Sequence, residues 1–179
     1  MEWLNEPAQW SESGTSLTIG VEEGTDFWRK THDGGVRDTG HFRYREVSGD
    51  FDLHCSFTPT YREKYDHAGL MLRLSPEVWI KAGVEFFEGS YHAGVVVTRD
   101  WSDWSLVLME TPEAVHFRLA RRGQTVEVYW HPASRPFTLL RQCYVPSDSP
   151  VSAGVMAAAP TGGGYRLTID AVEITPPKP

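Results

Sequence analysis

The sequence predicts an all-β protein, a sandwich or barrel of about a dozen strands. Short runs of alternating or apolar residues recur along the whole chain, and a period of two residues is typical of strands with one buried face. Clusters of Gly, Asp and Ser separate these runs, as expected for tight turns. No segment keeps a helical period over a long window, so a helical fold is excluded.

The predicted strands follow in order, each bounded by a turn signal. The first six are Ser16–Val21, His41–Val47, Asp50–Pro59, Ala68–Leu74, Val78–Phe87 and Ala93–Thr98, and the next six are Trp104–Glu110, Ala114–Arg121, Thr125–His131, Phe137–Cys143, Ser152–Ala158 and Arg166–Ile174. The separating turns are Ser13-Gly14, Asp33-Gly34-Gly35, Ser48-Gly49-Asp50, Glu88-Gly89-Ser90, Arg122-Gly123-Gln124 and Gly162-Gly163-Gly164. The segment from Arg118 to Trp130 is predicted to be a hairpin closed at Arg122-Gly123.

Length and composition limit the function classes. A chain of 179 residues suits one domain, here residues 1–179, with one large core. The net charge of −7 argues against a nucleic-acid partner, which requires a basic face. The apolar runs are too short for a membrane helix, and the N-terminus lacks the pattern of a signal peptide. We therefore expect a cytoplasmic protein without a membrane or nucleic-acid partner.

The chain carries no recognisable metal or cofactor motif. Cys55 and Cys143 form no spaced pair, and Cys55 shares the apolar face of its strand, which predicts a buried free thiol. The loop from His32 to His41 contains His and Asp, but it matches neither a zinc nor an EF-hand pattern. No metal and no cofactor are expected.

The strand around Lys81 has two contrasting faces. Alternation places a tryptophan, a cation, a glycine without a side chain and a carboxylate on one face, and apolar residues on the other. These are Trp79, Lys81, Gly83 and Glu85 against Ile80, Ala82, Val84 and Phe86. On the preceding strand the same argument turns Gly69, Met71 and Arg73 outward. The first face therefore resembles the floor of a polar, aromatic binding groove.

Other polar and aromatic residues are candidates for the same groove. A turn at Ser75-Pro76-Glu77 makes the two strands antiparallel neighbours, which brings Arg73 and Trp79 within cation–π reach. Trp101 and Trp104 are three residues apart, so a bulge or loop is expected between them. The further candidates are Asp26, Trp28, Asp66, Trp104, Arg118, His116, Tyr129 and His131. Two purely structural explanations of these residues remain open. In one, Arg73 forms a surface ion pair with Glu85 or Asp66. In the other, the tryptophans cover the edge of the sandwich and bind no ligand.

Six segments carry a resemblance that spans nearly the whole chain. They are Thr25–Trp28, Gly49–Phe51, Tyr65–Arg73, Trp79–Glu85, Val95–Thr98 and Ser102–Ser105. In this order they resemble the signature stretches of a domain family of unknown function labelled "regulation of enolase", in the concanavalin A-like lectin/glucanase superfamily. The resemblance implies a jelly-roll sandwich of two curved antiparallel sheets. Since one sheet of a large sandwich commonly curves, we expect the groove to lie on its concave outer face. The resemblance supplies no substrate.

The enzyme hypothesis can be tested on the residues themselves. Retaining glucanases need two carboxyl groups roughly 5 Å apart, and their usual signature resembles Glu-x-Asp-x-Glu on one strand. Here that register contains Lys81, Gly83 and Glu85, so a second carboxylate has to come from Asp66, Asp26 or Asp103. A lyase or epimerase with Lys81 as base and Glu85 or Tyr129 as its partner remains open.

Binding requires less than catalysis. Aromatic rings stack on sugars, while charged groups bind their hydroxyls or an attached carboxylate or phosphate. We therefore predict that the protein binds a small carbohydrate or related polar metabolite. The predicted ligand-binding residues are Asp26, Trp28, Asp66, Arg73, Trp79, Lys81, Glu85, Trp104 and Arg118. The alternatives are a carbohydrate-active enzyme using Glu85 and Lys81, and a regulatory module that binds a protein partner.

Overall fold

The computed structural model describes residues 1–110, 114–132, 136–146 and 149–177, and in these residues it contains sixteen strands and no helix. One sheet, sheet A, contains β1 (Glu2–Leu4), β6 (His41–Val47), β8 (His67–Ser75), β9 (Val78–Phe87), β10 (Ser90–Arg99), β11 (Trp101–Leu108) and β15 (Val151–Ala158). The other, sheet B, contains β2 (Trp10–Ser13), β3 (Ser16–Val21), β7 (Phe51–Phe57), β12 (Val115–Arg122), β13 (Thr125–Pro132), β14 (Thr138–Tyr144) and β16 (Tyr165–Thr175). A third sheet pairs β4 (Phe27–Arg29) with β5 (Val36–Asp38).

The strands of each large sheet pair antiparallel. Sheet A has the order β1-β6-β15-β8-β9-β10-β11, and sheet B has the order β14-β13-β12-β7-β16-β3-β2. The inward residues of the two sheets form one large apolar cluster, in which Leu70, Val95, Leu53 and Phe117 are completely buried. Burial of this apolar area is the main force that holds the two sheets together.

The predicted fold class is confirmed, and each of the twelve predicted strands is present. The hairpin of β12 and β13 closes at Gly123-Gln124. Four short strands, β1, β2, β4 and β5, were not predicted, because three or four residues are too few to show a period. The expected bulge near Trp104 is wrong: β11 pairs with β10 without a register shift. As the edge strand of sheet A, β11 leaves Trp101 and Trp104 partly exposed on opposite faces.

The hairpin of β4 and β5 packs on the outer face of sheet A, the face turned away from sheet B. Phe27 is completely buried there, with its ring centre 6.3 Å from that of Trp79. A side chain at Gly40 would come within 2.4 Å of the Phe27 ring, so only glycine leaves room for that ring. A second, smaller apolar cluster thus joins the hairpin to sheet A.

Both cysteines are free, and Cys55 is buried as predicted. Burial raises the pKa of the Cys55 thiol, so this thiol is unreactive at neutral pH. In the described part of the chain, no helix is long and apolar enough to cross a membrane.

Candidate functional site

A row of three glycines forms the floor of the site on the outer face of sheet A. Gly69, Gly83 and Gly94 stand in register on β8, β9 and β10. A Cβ atom at Gly83 would lie 1.9 Å from the carbonyl oxygen of Ala68, so the closeness of the two strands requires glycine here. The glycines contribute no side chains of their own, so a cleft remains between Lys81 and Glu85, the flanking residues on β9, with Leu106 against its far end at Gly94.

Lys81 is held on one side of this floor by three neighbours. Its Nζ donates to the Phe27 carbonyl oxygen at 2.8 Å and to His67 Nε2 at 3.0 Å. The Asp26 Oδ1 atom lies 3.6 Å from the same nitrogen. Lys81 is buried, at 6% exposure, and these contacts compensate for the loss of water around its charge.

The imidazole of His67 is neutral, and its tautomer follows from its partners. Nδ1 lies 2.7 Å from the Tyr65 carbonyl oxygen, which can only accept, so Nδ1 carries the proton and Nε2 accepts from Lys81. Burial and the charge of Lys81 lower the pKa of His67 to about 3. Tyr65 presents its carbonyl from a left-handed backbone conformation, φ 69°, which is costly for an aromatic residue.

Glu85 stands on the other side of the floor. Its Oε2 accepts from the indole Nε1 of Trp104 at 3.0 Å. Burial raises the pKa of Glu85 to about 7, although Lys81 and the Trp104 hydrogen bond oppose the shift. Glu85 therefore exchanges a proton near neutral pH.

A small cavity lies over the floor between Lys81 and Glu85. It is open to solvent on one side, and its volume is about 10 Å³, roughly the space of one water molecule. The lining residues with the strongest polar groups are His67, Lys81 and Glu85, and Gly83 and Gly94 contribute the backbone floor. The arrangement can hold one small polar group between a cation and a titrating carboxyl.

An aromatic rim lies beside Glu85, formed by Trp28, Tyr65, Phe87 and Trp104. The Trp104 ring centre is 5.1 Å from that of Phe87, 6.2 Å from Tyr65 and 6.4 Å from Trp28. Lys64 covers two of these rings, with its Nζ 4.8 Å from the centre of Tyr65 and 5.4 Å from that of Phe87. Trp104 is partly exposed, so the rim presents an aromatic surface to solvent.

Arg73 and Trp79 do not form the open surface that the sequence predicted. Arg73 makes a bidentate ion pair with Asp38 of the hairpin, at 2.6 and 2.7 Å, rather than with Glu85 or Asp66. Trp79 is only 1% exposed, because Phe27 covers it. The cation facing the Trp79 ring is Lys81, at 5.8 Å, rather than Arg73.

Of the acidic candidates, only Asp26 joins Lys81. Asp66 lies in the loop before β8, where its carboxylate accepts a hydrogen bond from the backbone nitrogen of Glu63. Burial raises the pKa of Asp66 to about 6. Asp103 neighbours Trp104 on β11 and therefore points to the opposite face of sheet A.

The placement of Arg118 with Lys81 and Glu85 is wrong. Arg118 lies on β12 of sheet B, and the completely buried Phe117 and Leu119 on either side turn it to the outer face of that sheet. There its guanidinium stacks 4.3 Å from the ring centre of Tyr129. Arg118 and Tyr129 are therefore on the far side of the sandwich, and Tyr129 cannot be the partner of Lys81. Strand alternation predicts a face, but it does not predict which sheet a strand joins.

Three residues of the site were missed in the sequence. Phe87 shares the face of Lys81 and Glu85 by continued alternation along β9, and His67 shares that of Gly69 and Arg73 along β8. Phe87 is the last residue of the predicted strand Val78–Phe87, and His67 lies one residue before the predicted strand Ala68–Leu74. Tyr65 precedes its strand, and no periodic signal marks it.

Comparison with known proteins gives strong matches over the whole chain. The model of a family described as "Protein of unknown function (DUF1349)" matches residues 3–177. "Regulation of enolase protein 1" of Saccharomyces cerevisiae is 30% identical over 176 residues, which cover 98% of this chain and 89% of that protein. The crystal structure of a functionally unknown protein from S. cerevisiae has a TM-score of 0.93 at 29% identity, covering 99% of this chain and 97% of that one.

More distant structures share the fold alone. The Bacteroides ovatus protein named "Xyloglucan PUL GH43B" has a TM-score of 0.74 at 14% identity, over 94% of this chain and 34% of that one. A legume lectin-like domain from Entamoeba histolytica has a TM-score of 0.66 at 8% identity, over 98% and 90%. The predicted jelly-roll sandwich of two large antiparallel sheets is thereby confirmed.

Proposed function

Because the chain belongs to the family described as "Protein of unknown function (DUF1349)", we propose its function from the site itself. The protein binds a small hydroxylated ligand, a carbohydrate or related polar metabolite, over Gly83 between Lys81 and Glu85. The ligand meets a carboxyl and an ammonium group in the cleft and the aromatic rim outside it. Concave, partly apolar sites with a few convergent polar groups are typical of small-molecule binding.

The observation that carries this proposal is the unused acceptor of Glu85. Within the described residues Glu85 accepts one hydrogen bond, from Trp104, so its Oε1 is left for a ligand. A buried carboxyl with a pKa raised to about 7 is costly to the fold. A hydroxyl donated to Oε1 reduces that cost, which gives the site an affinity for hydroxylated molecules.

Charge favours a neutral ligand. The two cations that could hold a phosphate or carboxylate already have acidic partners: Arg73 pairs with Asp38, and Lys81 lies beside Asp26. Glu85 adds a negative charge whenever it is ionised. A further anion would therefore meet like charge in a poorly solvated cleft.

The aromatic rim fits the apolar faces of a sugar ring. Trp104 and Phe87 stand edge to face beside Glu85, so a ring whose hydroxyl reaches Glu85 can rest on an indole or phenyl surface. The same fold occurs in a legume lectin-like domain and in a GH43 protein. The proposed binding of a carbohydrate is consistent with this analogy of fold.

Ligand-observed NMR with a panel of neutral sugars and polyols tests the proposal. We expect saturation transfer to the ligand in the wild type and its loss in Glu85→Gln and Lys81→Met. Glu88→Gln, an exposed carboxyl just beyond β9, is the matched control and should bind like the wild type. A panel that gives no transfer with the wild type would refute the proposal.

A second candidate is a carbohydrate-active enzyme, and the protonation of Glu85 favours it. A carboxyl with a pKa of about 7 suits a general acid, and Asp26 supplies a second carboxylate beside Lys81. We expect Glu85→Gln and Asp26→Asn each to abolish turnover of any glycoside that the wild type cleaves. Equal turnover in Glu85→Gln would exclude this role. A protein partner and a cytoplasmic location stay predictions.

A further inference from the structure

The exposed apolar side chains are concentrated on one side of the sandwich. Of the nine large apolar side chains exposed in the described residues, four lie on β11 and two on β14, the edge strands of sheets A and B. These two strands are neighbours, because Arg141 of β14 donates to the Ser105 hydroxyl of β11 at 3.1 Å. The six side chains are Trp101, Trp104, Val107, Leu108, Leu139 and Tyr144. A concentration of this kind marks an interaction surface.

β11 has the properties of an edge strand that is open to pairing. Its eight residues pair with β10 without a bulge, and no described strand pairs with its other side. It contains no Pro or Lys, and its single charged residue is Asp103. Edge strands that stay free usually carry such residues, a bulge or a cover.

We propose that β11 pairs antiparallel with β11 of a second copy of this chain, which makes the protein a two-fold symmetric dimer. The inference goes beyond the proposed function and does not depend on it.

Strand alternation restricts how two copies of β11 can face each other. Residues opposite each other in an antiparallel pair lie on the same face of the sheet, so the two-fold axis passes beside one residue, which then faces its own copy. An axis at Asp103 would bring two carboxylates together, and an axis at Ser105 would set Asp103 against Val107. Both arrangements cost free energy. An axis at Trp104 sets the two Trp104 rings side by side and Trp101 against Val107, so exposed apolar side chains cover each other.

The same register joins opposite charges across the interface. Asp103 of one copy faces Ser105 of the other, with Cβ atoms about 4.5–5.5 Å apart. Arg141 holds that Ser105 hydroxyl and has no ion pair within the described residues. The Asp103 carboxylate of the second copy therefore comes within reach of the Arg141 guanidinium, and the symmetry repeats this contact. Two ion pairs beside the apolar contact favour this partner and this register.

The dimer joins the outer faces of the two copies of sheet A. Trp104 of the second copy lies beside Trp104, whose indole donates to Glu85. Each copy thus adds an aromatic ring next to the rim of the other copy's site.

Analytical ultracentrifugation of the wild type and two charge reversals tests the dimer. We expect the wild type to dimerise with a dissociation constant on the order of 10 μM. Asp103→Arg and Arg141→Asp should each weaken dimerisation at least about tenfold, because each sets like charges together. An equal mixture of the two variants should dimerise like the wild type, because both contacts of the mixed dimer again join a cation to a carboxylate. Glu46→Arg makes the same change in net charge on β6 as Asp103→Arg makes on β11, and it should leave dimerisation unchanged.

A wild type that stays monomeric at about 0.5 mM would overturn the proposal. Wild-type dimerisation in both single variants would also overturn it, because the interface would then lie elsewhere, as would a mixture that dimerises no better than its components. If the charge reversals do not fold, Trp101→Ser removes an exposed apolar contact instead and should weaken dimerisation about tenfold. No ligand enters this measurement, so a failure of sugar binding leaves its result intact.

Discussion

Lys81 Nζ and His67 Nε2 lie 3.0 Å apart, an ammonium donating to a neutral imidazole in a buried site. The Tyr65 carbonyl oxygen holds the His67 proton on Nδ1, so the lone pair of Nε2 always faces Lys81. The two hydrogen bonds that Lys81 makes, to His67 Nε2 and to the Phe27 carbonyl oxygen, therefore both run from the ammonium to an acceptor.

Removal of the Lys81 charge should raise two pKa values. The ammonium lowers the pKa of His67 and that of Glu85, so in Lys81→Met both are expected to lie above their present values of about 3 and about 7. NMR titration of the imidazole and carboxyl signals measures both. Lys64→Met, an exposed lysine at the aromatic rim, is the control and should leave both unchanged. Unmoved pKa values in Lys81→Met would contradict the placement of Lys81.

The hydrogen bond from the Trp104 indole should lower the pKa of Glu85. Trp104→Phe keeps an aromatic ring but removes the N–H that stabilises the ionised carboxyl, so the pKa of Glu85 is expected to rise above 7. Trp101→Phe, on the same edge strand but the opposite face, should have no such effect. Carboxyl carbon shifts followed against pH distinguish the two variants.

Glu85 should make the fold less stable as pH rises. Its pKa is raised from 4.5 to about 7 on folding, so the folded state binds the extra proton between these values. The contribution of Glu85 is therefore favourable below pH 4.5 and is lost as pH rises to 7, a change of about 3 kcal/mol. Glu85→Gln lacks this dependence.

Urea unfolding at pH 5 and pH 8 measures this effect. The free energy of unfolding of Glu85→Gln relative to the wild type should be larger at pH 8 than at pH 5. Asp66 also has a raised pKa, of about 6. Both proteins contain Asp66, so its contribution cancels when their free energies of unfolding are subtracted. A difference that stays constant with pH would show that Glu85 is not desolvated.

The glycine floor should not tolerate a methyl group. In Gly83→Ala the new Cβ would lie 1.9 Å from the Ala68 oxygen, and a strand backbone cannot move aside as a flexible side chain can. We expect a loss of about 3 kcal/mol or more in the free energy of unfolding. Gly163→Ala places its Cβ in open space and is the control. Thermal unfolding of the two variants measures this difference, and Gly83→Ala is expected to have the lower melting temperature. Equal melting temperatures would show that the floor tolerates a methyl group.

Much of the site follows from the strand pattern. Alternation along β9 places Lys81, Gly83 and Glu85 on one face, and the structure has them there. The same alternation extended to Phe87 and His67 accounts for two residues that were missed. Asp26 was only one of three candidate second carboxylates in the sequence, because nothing local brings it to Lys81.

The sequence by itself determined the strands, the inward faces and the identity of the groups turned outward on β8 and β9. These properties depend on backbone alternation, which is local. Only the tertiary structure decided which outward groups are covered and which sheet each strand joins. The contact between Lys81 and Phe27 spans 54 residues, and β4 and β5 are too short to show a period. Packing of this hairpin buries Trp79 and pairs Arg73, and strand order places Arg118 on the opposite side of the sandwich.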